Sequence, residues 1–393
     1  MNKSLLVQTT QGPSGILTKE SQYVFNTTAT DKLCQIGLTM PLTAKSYSSN
    51  ILPGVIRQNL PEGFLLHWIR EKFGKTMRMN DFNILTLTGR NAIGRVQCRS
   101  EAMSAPESQD GEDLKELLAW KGTEDLFSHL AEKYAQLSGI SGVQPKFLMP
   151  QKSGLSHKDV EKASIKVPNL IVKSSGYDYP GLAENEYHCM MIAKKAGLAV
   201  PQFWLSDDKG VFVIERFDID SSNSYLGFED MTSLTGCQND EKYNSSYEII
   251  VKIVKAFCSD SFKAESLHAL FQSIVLSVAV RNGDAHLKNF GLLYTDPTSD
   301  DIRLSPLYDI VNTTSYLPKD VMALKLAKTK SWPYRNTLIE FAKLHCDIDN
   351  PEIIIDTIVE AAASYVPEIE AGNIWRQMKS HIELGCATLA AAD

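Results

Sequence analysis

A short polar run near residue 285 carries the side chains best suited to catalysis. It reads Arg-Asn-Gly-Asp-Ala-His-Leu-Lys-Asn over residues 281–289 and is bounded by apolar segments. Asp284 and Asn289 have the spacing with which phosphoryl-transfer enzymes orient an attacking hydroxyl with Asp and hold Mg²⁺ with Asn. His286 lies in the same run as a further candidate, and Lys288 could neutralise phosphate charge. A helix-capping loop would use the same residues to satisfy backbone donors, so the spacing alone leaves both interpretations open.

A second carboxylate follows in Ser305-Pro306-Leu307-Tyr308-Asp309, directly after a short strand-like stretch. Mg²⁺ is usually held through one or two carboxylates together with substrate phosphates. An Asp/Asn loop, a pair of strands and then a single Asp therefore predict a clamp for a nucleotide and its metal ion.

Two upstream residues have the order and element types of the Lys and Glu that hold ATP phosphates in kinases. Lys173 ends a predicted strand, and Glu186 lies on the helix predicted to follow it. Taken alone, a Lys at a strand end is more often a solvated surface residue, and Glu186 could be an ordinary exposed helix residue.

A small-residue segment, Ser-Gly-Ile-Ser-Gly-Val-Gln-Pro-Lys over 138–146, precedes that strand. Its small side chains would let backbone N–H groups approach phosphate oxygens. It matches neither G-x-G-x-x-G nor the Walker A pattern, and an ordinary helix-to-strand turn is the alternative.

Composition excludes several classes of protein. The 393 residues are 43% hydrophobic and 22% charged, which is typical of globular chains and not of disordered or fibrous ones. A net charge of −7 provides no global positive field for nucleic acid or anionic lipid, so DNA contact would need a partner or a local patch.

We expect no N-terminal signal peptide, because only three apolar residues, Leu5 to Val7, follow the polar start of the sequence. Its seven cysteines include no C-x-x-C pair, which favours a reducing compartment, and we expect a cytoplasmic protein. No apolar run approaches the ~18 residues of a membrane span. A Ser-His-Asp hydrolase is disfavoured because no G-x-S-x-G elbow occurs.

The elements that must position these residues change character along the chain. We predict an N-terminal α+β subdomain over 1–100, a linker and amphipathic helix over 101–136, a strand-rich lobe over 137–220 and a helical lobe over 221–393. The expected fold class is therefore α+β.

Together these motifs resemble the HipA-type serine/threonine kinases of bacterial toxin–antitoxin modules. The matching strings, in chain order, are Leu60-Pro61-Glu62-Gly63, Leu87–Gly94, Gly142–Lys146, Val172–Ser175, Glu184–Tyr187, Glu215–Asp218, Gly283–Asn289 and Leu307–Asp309. The resemblance implies a bilobal kinase-like fold with the N-terminal subdomain packed on the kinase core, and ATP and Mg²⁺ as cofactors.

The resemblance also implies roles for individual residues. Asp284 would be the catalytic Asp, Asn289 and Asp309 the metal ligands, and Lys173 a contact to the ATP phosphates. The backbone of Glu215 and Phe217 would bind the adenine. The full set expected to bind ATP is Ser141, Gly142, Val143, Gln144, Pro145, Lys146, Lys173, Glu186, Glu215, Arg216, Phe217, Tyr308 and Asp309.

Members of this family phosphorylate a serine in the loop before the Gly-x-Gln-x-Lys string, and the modified loop swings out and switches off the kinase. Here Gly139 stands at the first serine position and Ser141 at the second. We therefore expect Ser141 to be modified, with Ser138 as the alternative. The added negative charge would oppose ATP phosphates in the same loop.

The resemblance implies a protein substrate, an aminoacyl-tRNA synthetase in the known members, and a small helix-turn-helix antitoxin that carries the kinase to DNA. Two alternatives remain open. A small-molecule kinase of the aminoglycoside-phosphotransferase type shares the G-D-x-x-x-x-N loop, but it expects His where Asn282 stands. A kinase-like binding module without activity would normally have lost a metal-binding acid, and none is missing here.

Overall fold

The computed structural model describes residues 4–100, 111–135, 138–152, 168–176, 178–238, 241–369 and 372–390, so most of the linker expected at 100–111 lies outside them. The chain forms two compact units. The first comprises Met1–Gly176, Phe203–Phe228 and Thr295–Thr298, and the second comprises Tyr177–Gln202, Glu229–Tyr294 and Ser299–Asp393. The domain boundaries expected from the sequence stay predictions.

The first unit opens with an antiparallel five-stranded sheet of order β4-β3-β2-β1-β5. Its strands are β1 (Ser4–Thr9), β2 (Gly12–Lys19), β3 (Tyr23–Thr27), β4 (Ser46–Ser49) and β5 (Gln97–Arg99). Leu5 and Val7 alternate with exposed neighbours along β1 and are buried, which is the period-2 pattern of a sheet with one buried face.

Three helices follow within the same subdomain, α1 (Gly54–Arg57), α2 (Gly63–Phe73) and α3 (Asp81–Thr88). Helix α2 begins directly after Pro61-Glu62. Asn80 starts α3 by accepting the N–H of Asn83 at 2.9 Å, which satisfies one of the free donors at the helix terminus. Buried Phe82 and Leu85 of α3 join the core formed by the sheet.

A second sheet of order β6-β7-β9-β8 lies in the first unit. The segment before it contains α4 (Leu114–Leu118) and α5 (Thr123–Tyr134), and the strands are β6 (Lys146–Met149), β7 (Leu170–Ser174), β8 (Phe203–Leu205) and β9 (Val211–Glu215). The amphipathic segment expected after the linker is thus two helices, because Gly122 between them adopts a left-handed φ of 95°.

The two parts of the first unit share a core. Phe64 of α2 packs edge-on against Phe127 and Phe147, with ring centroids 5.5 and 6.2 Å apart. Leu65 and Ile69 on the same helix belong to the apolar cluster that covers β6, β7 and β9. The N-terminal subdomain therefore packs on the second sheet, as the sequence led us to expect.

The second unit is mainly helical. Its elements are α6 (Leu182–Lys195), β10 (Gly227–Asp230), α7 (Met231–Thr235), α8 (Tyr247–Phe257), α9 (Asp260–Ala279), β11 (Gly291–Tyr294), β12 (Arg303–Leu304), α10 (Arg335–His345), α11 (Pro351–Ala363) and α12 (Asn373–Ala390), with β10 beginning in the first unit. Strands β10, β11 and β12 form a sheet in that order.

Helix α9 lies at the centre of the second unit and leads into the polar run at 281–289. Its apolar face is buried throughout, at Leu267, Leu270, Phe271, Ile274 and Val278. A helix buried along this length gives the following loop a rigid base. Among the described residues, no helix is long and apolar enough to cross a membrane.

Candidate active site

The loop at 281–289 is held by hydrogen bonds within the loop and to a later segment of the chain. The backbone at Asp284 is fixed by Asn282, whose side-chain oxygen accepts the Asp284 N–H at 3.0 Å. The Gly283 N–H donates to the Thr313 hydroxyl at 2.8 Å, which ties the loop to the segment beyond β12. The loop ends in a single 3₁₀ turn, Leu287–Asn289. Its polar side chains are therefore presented on a fixed backbone.

Asp284 has one of its carboxylate oxygens occupied. Oδ1 accepts a hydrogen bond of 2.5 Å from the Tyr243 hydroxyl and lies 4.0 Å from His286 Nε2. The Asp284 side chain is 46% exposed, so it is reachable from solvent. This is the accessibility that a residue acting on a substrate hydroxyl requires.

Asn289 and Asp309 meet although they lie 20 residues apart in sequence. The Asn289 amide nitrogen donates to Asp309 Oδ2 at 3.2 Å and to the Asp309 carbonyl at 3.3 Å. Asp309 adopts a left-handed φ of 57°, which Asp tolerates better than most residues. Asn289 also caps its own turn, because its Oδ1 accepts the His286 N–H at 3.1 Å. The capping interpretation of Asn289 is therefore observed, and its role as a metal ligand stays a prediction. The two are compatible because an amide oxygen has two lone pairs.

Tyr308 and Lys288 contact each other. The Tyr308 hydroxyl donates to the Lys288 carbonyl at 2.7 Å, so it fastens the segment that carries Asp309 to the loop that carries Asp284. Contact of Tyr308 with ATP stays a prediction.

Burial in the loop shifts the pKa values of Asp284 and His286 in opposite directions. Desolvation raises the pKa of Asp284 to about 6, helped by the carboxylates of Asp309 and Asp320 and opposed by Tyr243 and Lys242. Desolvation lowers the pKa of His286 to about 3, with Lys242 adding to the effect. At neutral pH Asp284 is therefore ionised and His286 is uncharged.

The first unit positions the predicted phosphate-binding residues along β6, β7 and β9. Lys146 and Lys173 are paired across β6 and β7, and the Lys173 ammonium lies 5.8 Å from the centre of the Phe212 ring. Glu215 pairs with Leu170 at the far end of β7. Lys173 thus lies in a strand, as predicted, and it is buried.

The loop at 138–146 distinguishes its two serines. Ser138 is fully buried; its hydroxyl donates to the Tyr134 carbonyl at 2.8 Å and accepts the Leu148 N–H at 2.9 Å. Ser141 is half-buried, and its hydroxyl donates to Glu62 Oε1 at 2.8 Å. Of the two serines in this turn, Ser141 is therefore the one nearer the surface. The other members of the loop are Gly142, Val143, Gln144, Pro145 and Lys146, of which Val143 is the most exposed at 64%.

Arg216 has a structural use that its motif did not indicate. Its guanidinium is buried, makes a two-pronged contact with Asp218 at 3.0 and 2.6 Å, and donates to the carbonyls of Ala92 and Pro168. This side chain fixes the segment beside Glu215 and Phe217. A nucleotide contact through its main chain stays a prediction.

Glu186 is fully buried on α6 of the second unit, whereas Lys173 belongs to the first unit. Their pairing stays a prediction. The residues that the sequence did not single out are Tyr243, Thr313 and Asp320, all of which contact the 281–289 loop or each other. No spacing rule marks Tyr243 or Thr313, because each contacts the loop across 30 residues or more of sequence.

Comparison with known proteins gives a consistent result. The HipA N-terminal domain family matches residues 5–99, and the HipA-like C-terminal domain family matches residues 138–368. The "Putative kinase Y4dM" of Sinorhizobium fredii is 28% identical over 350 residues, covering 82% of this chain and 78% of that protein. A "Putative kinase" of Haemophilus influenzae is 31% identical over 192 residues, covering 45% of this chain and 53% of that protein.

Among solved structures, HipA of Shewanella oneidensis MR-1, determined with HipB and its operator DNA, superposes with a TM-score of 0.73 at 17% identity. The match covers 98% of this chain and 97% of that protein. This likeness confirms the predicted α+β fold of HipA type. The family matches and the names of the relatives together support a kinase of this type.

Proposed function

Because this chain belongs to the HipA-like family, we propose that it is an ATP- and Mg²⁺-dependent protein serine/threonine kinase of the HipA type. One observation carries the proposal. The amide of Asn289 and the carboxylate of Asp309 lie together, on a backbone that also presents the half-exposed carboxylate of Asp284. That combination suits phosphoryl transfer, in which positioning and charge neutralisation supply most of the catalysis.

The donor set fits magnesium. Asn289 Oδ1 and the Asp309 carboxylate offer oxygen ligands, which a small hard cation prefers, and Mg²⁺ commonly completes its shell with water and substrate phosphates. When bound there, Mg²⁺ would neutralise charge on the β- and γ-phosphates.

The remaining roles follow from charge. Asp284 is ionised at neutral pH and can accept a hydrogen bond from an acceptor hydroxyl, which orients that hydroxyl for attack. Neutral His286 adds no charge to the loop. Lys288 and Lys173 would supply positive charge to the phosphates, and the Glu215–Phe217 backbone would take the adenine.

Asp309→Asn tests the proposal directly. It keeps the size of the side chain but removes the charged ligand, so transfer of the γ-phosphate from radiolabelled Mg-ATP should fall by about 100-fold or more. Asp300→Asn is the matched control, because Asp300 is exposed on the turn between β11 and β12. This variant should transfer phosphate at the wild-type rate. Wild-type turnover in Asp309→Asn would refute the proposed clamp.

We further propose that the acceptor is a protein, an aminoacyl-tRNA synthetase as in the known members of the family. A comparison of phosphoproteomes from cells that express the wild type or Asp284→Ala would identify it. A synthetase phosphopeptide present only with the wild type is the expected result. An unchanged phosphoproteome, with the purified wild type active on itself, would contradict the assignment of a protein target.

Self-regulation is part of the same proposal. Ser141 would receive phosphate from the kinase, and the modified loop would lose its place beside Glu62 because two negative groups would face each other. We also propose a small helix-turn-helix antitoxin as partner, through which the protein would reach DNA. The solved HipA–HipB–DNA complex supports this by analogy.

A further inference from the structure

Tyr243 is the one residue outside the sequence motifs whose hydroxyl reaches the predicted catalytic carboxylate within the described part of the chain. It donates to Asp284 Oδ1 at 2.5 Å, across 41 residues of sequence. Asp284 Oδ2 accepts no hydrogen bond from the described residues. The two oxygens of this carboxylate are therefore unequal, one held by protein and the other open.

The Tyr243 ring is held on a second side. It packs edge-on against His286, with centroids 5.0 Å apart and planes at 81°. His286 belongs to the same loop as Asp284, so the ring and the hydroxyl both contact the loop that they would order.

The backbone around Tyr243 is tied to the catalytic loop as well. Its carbonyl accepts from the Lys330 ammonium at 3.1 Å. The neighbouring Lys242 carbonyl accepts the Leu287 N–H at 3.3 Å, and the Tyr247 hydroxyl donates to the Ala285 carbonyl at 3.2 Å. The segment 242–247 thus contacts the loop at several points.

From this geometry, and resting on the proposed kinase function, we infer that Tyr243 is a positioning residue that fixes the Asp284 carboxylate so that Oδ2 faces the acceptor hydroxyl. A carboxylate held at one oxygen cannot rotate about its Cβ–Cγ bond without breaking that hydrogen bond. Catalysis depends steeply on such alignment. Burial and the adjacent Asp284 raise the pKa of Tyr243, so its hydroxyl stays protonated and able to donate.

Tyr243→Phe is the decisive variant, because it keeps the ring on His286 and removes only the hydroxyl. Tyr243 is 37% exposed, so we expect the variant to fold with a melting temperature near that of the wild type. Tyr334→Phe is the matched control; Tyr334 is 55% exposed, and its hydroxyl has no hydrogen-bond partner among the described residues.

The assay is transfer of radiolabel from Mg-ATP to the intact protein and to dephosphorylated casein. We expect Tyr243→Phe to lower kcat by about 10-fold, with KM for ATP unchanged, because Asp284 orients the acceptor and not the nucleotide. The acid limb of the pH profile should also move to higher pH, since the Tyr243 hydrogen bond lowers the pKa of Asp284. The other charged or titratable groups near Asp284, namely Lys242, His286, Asp309 and Asp320, are unchanged in this variant.

A purely structural tyrosine would leave both kcat and the acid limb where they are, and that result would overturn the inference. Faster turnover in Tyr243→Phe would also overturn it, since the hydroxyl would then be an obstacle and not a guide. A wild type and a Tyr334→Phe control that are both inactive would instead refute the proposed function, which keeps the two failures distinct.

Discussion

Asp284 determines the pH dependence that we expect of phosphate transfer. Its pKa is raised to about 6, first by desolvation and then by Asp309 and Asp320. The carboxylate is protonated below that pH and cannot accept the hydrogen bond of an acceptor hydroxyl. Activity should therefore fall as the pH drops through about 6, when kcat/KM is measured from pH 5 to 8 at fixed Mg²⁺.

His286 cannot produce this limb, because its pKa is lowered to about 3 and it stays neutral across the range. Asp284→Asn is the control, since its residual activity should have no limb near pH 6. A wild-type profile that is flat from pH 5 to 8 would contradict the assignment of Asp284 as the titrating group.

The two loop serines should respond oppositely to removal of their hydroxyls. Ser141→Ala should abolish self-phosphorylation, because Ser141 is the half-buried serine of the two, whereas Ser138 is fully buried. Ser138→Ala should keep self-phosphorylation and lose about 1–3 kcal/mol of unfolding free energy, because the buried Leu148 N–H loses its acceptor. Mass spectrometry of the loop peptide and thermal unfolding measure these effects.

Phosphate on Ser138 in the wild type would contradict this prediction. It would require the loop to open before modification, since the Ser138 hydroxyl is fully enclosed by its two backbone partners.

The position of the catalytic loop depends on the absence of a side chain at Gly283. A Cβ there would meet the Asp320 carboxylate and would lie 2.5 Å from the Val321 carbonyl, a backbone atom that cannot swing aside. Gly283→Ala should therefore displace the loop, lower phosphate transfer by at least about 10-fold and lower the melting temperature.

Gly197→Ala is the control for this prediction, because it adds backbone strain without displacing the catalytic loop. Gly197 has a left-handed φ of 78°, but a Cβ added there would have nothing within 4 Å. It should cost about 1 kcal/mol of stability and leave turnover unchanged. Wild-type turnover in Gly283→Ala would contradict this prediction, because it would mean that catalysis does not depend on the position of the loop.

Helices and strands that are marked by local sequence patterns could be predicted from the sequence. Helix α2 after Pro61-Glu62, strands β7 and β9, and the buried face of α9 all follow from local periodicity and local breaks. The approach of Asn289 to Asp309 followed from the order of the elements, because a loop and a segment flanking one strand pair must lie near each other.

Contacts between distant segments could not be predicted in this way. Tyr243 reaches Asp284 from a polar stretch that carries no spacing signal. The motif around Arg216 suggested a nucleotide contact, whereas its guanidinium is used on Asp218 and on two carbonyls, because a buried cation needs a paired anion.

The whole chain carries more acid than base, and this bears on how it would meet DNA. Forty Lys and Arg against 47 Asp and Glu give a net charge of −7. Binding to duplex DNA depends on displacing counterions with clustered cations. A chain with this balance lacks the long-range attraction that brings DNA-binding proteins to the duplex. This agrees with the proposal that the protein reaches DNA through a helix-turn-helix antitoxin.

The purified chain alone should therefore fail to bind DNA at physiological ionic strength. With a labelled duplex of about 30 base pairs in 150 mM salt, fluorescence anisotropy should show no binding below about 100 µM protein, the weak end of non-specific affinities. Repeating the titration at 50 mM salt provides the control, since a local basic patch would bind there and release the duplex as salt rises. Retention of the duplex at 150 mM by the chain alone would contradict the prediction. It would require a dense cationic surface despite the acidic total, because counterion release is the main source of affinity without sequence readout.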